Sequence, residues 1–354
     1  MLRKRIRILG VLVGLSGCGG EVLPEPAPPP VDWHSFEVVK ARTQKPAPPA
    51  AKEQPIAEKY LKALVSPKMA DLSPLLEENV HCLLPDGDDA RGRGDVIAAH
   101  QALFSSFDEV TILPTRIFRT PNAQIVEWRF SGRVAHSFMG VAPNDKQIVA
   151  SGVTVLSVRA DGLITDAHIH FDGALIEAQL GVGPKLLVDL SAPAWTNEPP
   201  TTVGPVATVD AEAQIALVRG SLDALANNDD AKLVAAMADD IEVRTQDRTE
   251  PIRGRDQVRA YARSLHASIA QLDTTVRSAY SVGAFVVVEY QISGEQIAPI
   301  GWVPAQRMRV PHIDVADVVE LKDGKISRIT RYDNRGYLLP RDGAPEKPEK
   351  QKKP

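Results

Sequence analysis

The sequence predicts an α+β protein made of two copies of one domain in tandem, each about three helices packed on a curved antiparallel sheet. Two observations predict it. Residue patterns recur at a nearly constant offset, and within each copy the apolar period changes from helical spacing to alternation.

The repeat is read from several anchors. Gly92-Arg93 recurs as Gly254-Arg255, and Glu127 follows Gly92 by 35 residues, as Glu289 follows Gly254. Around these, Glu127-Trp128-Arg129-Phe130-Ser131-Gly132 pairs with Glu289-Tyr290-Gln291-Ile292-Ser293-Gly294. Pro143 to Asp172 and Pro304 to Asp333 each span 29 residues, which equates the two aspartates after a one-residue slip.

Each copy opens with a helix, marked by Ile56, Tyr60, Leu61 and Leu64 or by Ile215, Val218, Leu222 and Leu225. A short helix is predicted over 72–78 and 231–238, then a strand and a Gly-Arg turn. A third helix carries Val96, Leu103 and Phe107, or Val258, Tyr261, Leu265 and Ile269. Asp95 and Asp256 at its start suit the helix dipole and can cap free N–H groups. Beyond it the period is two. Strands are predicted over 125–130, 147–158 and 163–171, with hairpin turns at Asp161-Gly162 and Asp323-Gly324. Each sheet would leave a broad face exposed, so the two are expected to pack together as an internal pseudo-dimer.

The N-terminus has a different character. Arg3, Lys4, Arg5 and Arg7 precede a short apolar run from Ile8 to Leu15, closed by Leu15-Ser16-Gly17-Cys18. That is a signal peptide over 1–17, too short in its apolar part to span a bilayer. The tetrad resembles the lipobox of bacterial lipoproteins. The resemblance implies that Cys18 is lipidated and that the protein is anchored in the cell envelope, on the outer membrane facing the periplasm if the cell is Gram-negative. Residues 18–53 are proline-rich and read as a semi-rigid tether. The domains are then expected over 54–181 and 209–340, with a linker at 182–208 and a disordered, charged tail at 341–354. With Cys18 acylated, Cys82 has no intramolecular partner, so no disulfide holds the fold. A net charge of −4 leaves no footprint for nucleic acid.

The order of elements, with Trp128, Gly132, Gly140-Val141-Ala142-Pro143, Asp161-Gly162, Phe171-Asp172 and Gln179-Leu180-Gly181, resembles the nuclear transport factor 2-like fold and, within it, the SnoaL-like polyketide cyclase group. The second copy keeps Gly294, Gly301, Pro304, Gly324 and Tyr332-Asp333 but lacks the closing Gln-Leu-Gly. The resemblance implies cone-shaped domains, each enclosing an apolar cavity for a small apolar ligand, in a fold that often dimerises through its sheet. It also implies an acid/base role for the last-strand aspartate, here Asp172 and Asp333. The histidine that the group often places two residues after the glycine is Val134 in the first copy and Gln296 in the second.

The residues themselves offer several candidates. His168, His170 and Asp172 alternate on one strand and share a face. An aspartate in an apolar cavity has a raised pKa and can serve as a general base, with a histidine beside it to orient it or exchange its proton. In the second copy Arg331 and Asp333 share a face, either as an ion pair or with Arg331 and Gln296 available to a ligand. Trp128 and Tyr290 occupy equivalent positions that can wall a cavity, and Glu127 and Glu289 persist on the opposite strand face, where pairing with an arginine is favoured. Two histidines and a carboxylate are acceptable metal ligands, but the His-x-His-x-Asp spacing alone is weak and the second copy has Ile329 and Arg331 there. No zinc signature, phosphate loop, nucleophile elbow or dinucleotide fingerprint appears, so neither a metal nor a cofactor is expected. Two functions follow as expectations. One is a non-catalytic lipoprotein that binds a small apolar molecule. The other is an envelope isomerase, cyclase or hydratase using Asp172.

Overall fold

The computed structural model describes residues 54–66, 69–85, 89–138, 142–143, 145–181, 198–206, 210–301, 303–305 and 309–335. Cys18, the signal peptide, the tether, most of the linker, Gly140-Val141 and the C-terminal tail lie outside the described residues. All described residues belong to one compact unit that begins at Lys52. Among them, no helix is long and apolar enough to cross a membrane.

The first domain begins with α1 (Ile56–Leu64), whose Tyr60, Leu61 and Leu64 are buried. A single 3-10 turn (Ser73–Leu75) follows, then β1 (Leu76–Leu83), β2 (Asp89–Arg91) and α2 (Arg93–Phe104). Strands β3 (Phe107–Arg119), β4 (Ala123–Val134), β5 (Gln147–Val158) and β6 (Ile164–His170) complete the sheet, and α3 (Gly173–Gln179) closes the domain. The short strand β7 (Thr201–Val203) lies parallel to β3 at the sheet edge.

The second domain repeats the plan. Helices α4 (Ala211–Ala226) and α5 (Asp230–Ala235) precede β8 (Met237–Thr245), β9 (Ile252–Arg253) and α6 (Gly254–Ser268). Strands β10 (Ile269–Val282), β11 (Phe285–Gln296), β12 (Arg309–Lys322) and β13 (Lys325–Asp333) follow. The sheet orders are β2-β1-β6-β5-β4-β3-β7 and β10-β11-β12-β13-β8-β9.

Several expectations are corrected here. The sheets are mixed, because β1 pairs parallel with β6 and β8 parallel with β13. These strands enter from the helical part of the chain, so no hairpin fixes their direction. The predicted helix over 72–78 is a 3-10 turn running into β1, where Leu76, Val80 and Cys82 are buried in a strand pattern. In the second copy the short helix exists but ends at Ala235. The third helix of each copy stops at Phe104 or Ser268, so Phe107 and Ile269 open the long strands β3 and β10, for which no element was predicted. Pro114 hides β3 in the sequence; the sheet accommodates it at a register irregularity between Pro114 and Arg116. Asp95 and Asp256 sit in the first helical turns without capping through their side chains. The Asp-Gly turns form as expected, with Gly162, Asp323 and Gly324 at positive φ.

The register also corrects the repeat. His81 lies opposite Asp166 and Arg91, whereas Glu242 lies opposite Arg328 and Arg253. Val153 pairs with His170, and Ala316 pairs with Tyr332. The counterpart of His170 is therefore Tyr332, that of Phe171 is Asp333, and that of Asp172 is Asn334. The slip that equated Asp172 with Asp333 is absent from the sheet. A one-residue shift moves a side chain to the other face, so the two aspartates do not occupy equivalent sites.

Each domain has its own apolar core. A third cluster joins the outer faces of the two sheets: Phe118, Ile125, Val153 and Val155 from one, Val282, Val287, Val318 and Tyr332 from the other. Phe118 and Phe285 meet at 5.3 Å between ring centroids, and the Arg116 guanidinium lies over both rings. Residues 54–181 expressed alone would expose this face and are expected to self-associate in light scattering after gel filtration. A stable monomer that binds no hydrophobic dye would contradict the packing described.

Candidate functional site

The first cone encloses a cavity of about 30 Å³. Leu61, Leu103, Phe104, Phe107, Phe130, Phe138, Ile169 and Phe171 are among the residues that line it, with Trp128 and Thr154 as the polar members of the wall. Trp128 donates its indole N–H to Thr154 Oγ1 at 2.9 Å, so the ring is fixed while its apolar body faces inward. Gly152 makes this placement possible: a Cβ there would collide with the indole and approach the His170 carbonyl oxygen to 2.7 Å. Among the described residues, the wall holds no titratable side chain.

The second cone differs at the same wall. Tyr290, the counterpart of Trp128, donates its hydroxyl to Asp317 at 2.9 Å. Arg331, the counterpart of Ile169, binds Asp317 through Nε and Nη2 at 2.9 and 2.8 Å. All three are buried. The expected Arg331–Asp333 pair is therefore corrected: Asp317 takes Arg331, and Asp333 takes Arg335. Asp317 belongs to no motif in the sequence; its one signal there is a charge within the apolar run Val315-Ala316-Asp317-Val318-Val319. Both charged ends of this bidentate pair are committed to each other, which leaves Arg331 as part of the core. Gln296 is also buried, donating to the Pro304 carbonyl at 3.1 Å.

His168 and His170 do share a face, but it is the outer face of the sheet, against the second domain. His168 Nδ1 and His170 Nε2 both donate to Glu289 Oε1 at 2.8 Å, and Ser278 donates to Glu289 Oε2 at 2.5 Å. Glu289 is 1% exposed. Burial would raise its pKa, but the charge and hydrogen bonds of the two histidines hold it well below the ordinary glutamate value. For His168 burial works downward, and the Glu289 charge and bond outweigh it and raise its pKa. The mirror contact joins Glu127 to Tyr332, whose hydroxyl donates to Glu127 Oε1 at 2.9 Å. Arg116 donates to the other oxygen at 2.5 Å, the pairing expected for this glutamate. The two glutamates that persist in both copies thus hold the two domains to each other.

Asp172 caps α3, accepting from the Ala174 N–H at 3.0 Å and the Arg335 N–H at 3.3 Å through Oδ1. Its Oδ2 is buried with no hydrogen-bond partner among the described residues. Burial, and then the charge of Asp333, push its pKa up from 3.8 to about 8. Even so, Asp172 is not in the cavity wall, because Ile169 and Phe171 occupy the inward face.

The held proton has a consequence for stability. An unfolded chain releases it near 3.8, while the folded protein keeps it to about 8. Its contribution to stability is full below the lower value, falls as pH rises between the two, and is lost above the upper one. Asp172→Asn is expected to gain on the parent in urea-denaturation midpoint from about pH 4 to about pH 8, with no further gain above. A difference that does not change across that range would contradict a protonated Asp172.

Two family models match the sequence: SnoaL-like polyketide cyclase over residues 55–180, and SnoaL-like domain over residues 218–329. No curated protein sequence matches significantly. Among solved structures, a putative SnoaL-like polyketide cyclase from Jannaschia sp. is similar at 18% identity and a TM-score of 0.33, covering 37% of this chain and 91% of that one. TsrD from Streptomyces laurentii is similar at 22% identity and a TM-score of 0.32, covering 35% and 90%. A protein with a ketosteroid isomerase-like fold from Catenulispora acidiphila, in complex with trimethylamine, is similar at 16% identity and a TM-score of 0.32, covering 36% and 93%. With the sheet orders and the paired cores described above, the two family matches identify the chain as two SnoaL-like domains in tandem on the nuclear transport factor 2-like fold.

Proposed function

We propose that this protein is a lipid-anchored, non-catalytic binding protein that holds a small apolar molecule in its first domain, with the second domain as its internal partner. The observation that carries the reading is the cavity wall of aromatic and aliphatic side chains around a single Trp128–Thr154 pair. Such a wall rewards apolar contact and offers at most one hydrogen bond. A volume of about 30 Å³ suits a very small guest, or the end of a longer one that displaces Phe104 or Phe138. The lipobox ending at Cys18 supports the anchor.

The catalytic alternative, proton transfer by Asp172, has its raised pKa in its favour. Against it stands the position of that carboxylate, which caps α3 and is not among the residues that line the cavity. Proton transfer needs the acid or base within hydrogen-bond reach of the reacting atom.

The ligand reading is tested by mass spectrometry of small molecules extracted from the purified protein, and by melting with added benzene. Saturation at about 100 times the Kd would add about 2.7 kcal/mol. The parent is expected to melt a few degrees higher with benzene, and Ala150→Phe, which fills the cavity, is expected not to respond. Absence of both a retained molecule and a benzene response in the parent would overturn the reading. For the anchor, Cys18→Ser is expected to move the protein from the membrane fraction to the soluble one; an unchanged membrane fraction would contradict lipidation.

A further inference from the structure

We propose that His81, Asp166 and His168 bind a divalent transition-metal ion at the seam between the two domains, with Zn²⁺ the best match to the donor set. The inference does not depend on the apolar cavity, which lies on the other face of the sheet.

The strand pairing brings the three together. On the parallel neighbours β1 and β6, His81 lies opposite Asp166 and Leu83 opposite His168. Alternation places His81, Asp166 and His168 on one face. One ligand atom from each lies within 4.8 Å of the other two, and His81 Nδ1 is 3.5 Å from Asp166 Oδ1. Around a tetrahedral ion with bonds of about 2.0–2.2 Å, ligand atoms sit about 3.3–3.6 Å apart, so only a small closure is needed.

The surroundings of the ligands point the same way. A histidine that binds a metal usually donates its other ring N–H to a carboxylate, which fixes the ring and its tautomer. His81 Nε2 is held by Asp89, and His168 Nδ1 by Glu289. Both imidazoles thus already have the partner that a metal ligand needs, and His81 keeps its other nitrogen, Nδ1, toward Asp166. Asp89 is in turn held by Arg91. Side-chain exposures of 28% for His81, 43% for Asp166 and 18% for His168 allow an ion to enter and leave a fourth position for solvent. Two imidazoles and one carboxylate favour zinc and its transition-metal neighbours over Mg²⁺ or Ca²⁺, which prefer all-oxygen sites. Because Glu289 comes from the second domain, the ion would brace the strand from which His168 and His170 reach it.

The test is titration of the full chain with Zn²⁺, with Co²⁺ as an optical probe and Mg²⁺ as the comparison. The expected result is one Zn²⁺ per chain, tetrahedral-type Co²⁺ absorption, and no response to Mg²⁺. His81→Gln and Asp166→Asn should each weaken Zn²⁺ binding at least tenfold, and the double variant should abolish it. Asp89→Asn, which acts through His81, should weaken it about tenfold. His136→Gln, at an exposed loop position away from the cluster, should leave it unchanged. Melting without metal checks folding: the double variant should match the metal-free parent, and only the parent should gain stability with Zn²⁺. Less than one ion per chain, a response to Mg²⁺ equal to that to Zn²⁺, or retention of Zn²⁺ by the double variant would overturn the proposal.

Discussion

A carboxylate taken out of water must be paired, and this molecule buries one at the same place in each sheet. Glu127 and Glu289 occupy matching positions on the outer faces of their domains. Each is held partly by its own sheet, through Arg116 or Ser278, and partly by the last strand of the other domain, through Tyr332 or His170. Residue and counterpart exchange roles across the interface, as they would across the two-fold axis of a homodimer. The surrounding contact is apolar and would tolerate sliding. The buried charges do not, because removing one partner of a buried pair costs about 3–5 kcal/mol. The carboxylates therefore set the register in which the two sheets meet.

That register decides what the rest of β6 can do. Its residues alternate between two covered faces. Ile169 and Phe171 face the cavity, while His168 and His170 face Glu289. Chemistry that needed histidine and aspartate inside the cone would require the strand to turn over. The charged residues instead serve the seam, and the cavity is left with aromatic walls.

Period-two spacing was enough to place His168 and His170 on one face, but not to say which, and Asp172 lies beyond the strand as the cap of α3. In a sheet covered on one side only, the polar residues of a strand mark the solvent side. Here a second sheet covers the outer face, so both faces are buried and polarity no longer identifies the inside. The repeat, the opening helices and the Asp-Gly turns were legible because glycine conformations and helical spacing are local. The parallel pairing of β1 with β6 was not, since it joins segments more than eighty residues apart. The equation of Asp172 with Asp333 failed for a related reason. Two aspartates one place out of step look alike in sequence, and only the ladder that pairs His170 with Val153 and Tyr332 with Ala316 shows that Asp333 matches Phe171 and not Asp172.

The same ladder makes the divergence of the two copies intelligible. At three neighbouring wall positions the first domain has Trp128, Thr154 and Ile169, and the second has Tyr290, Asp317 and Arg331. The first set leaves a hollow bounded by a neutral hydrogen bond. The second spans its interior with a bidentate ion pair that a tyrosine completes. A single change toward the second set would bury an unpaired charge, so Asp317 and Arg331 are stable only together. With both present, that wall is polar where the first domain's is apolar. What the second copy retained is its outer face, with Glu289 aimed at two histidines of the first. The two copies thereby differ in structure: the first has the hollow, and the second has an ion pair in its place and lends Glu289 to the shared face.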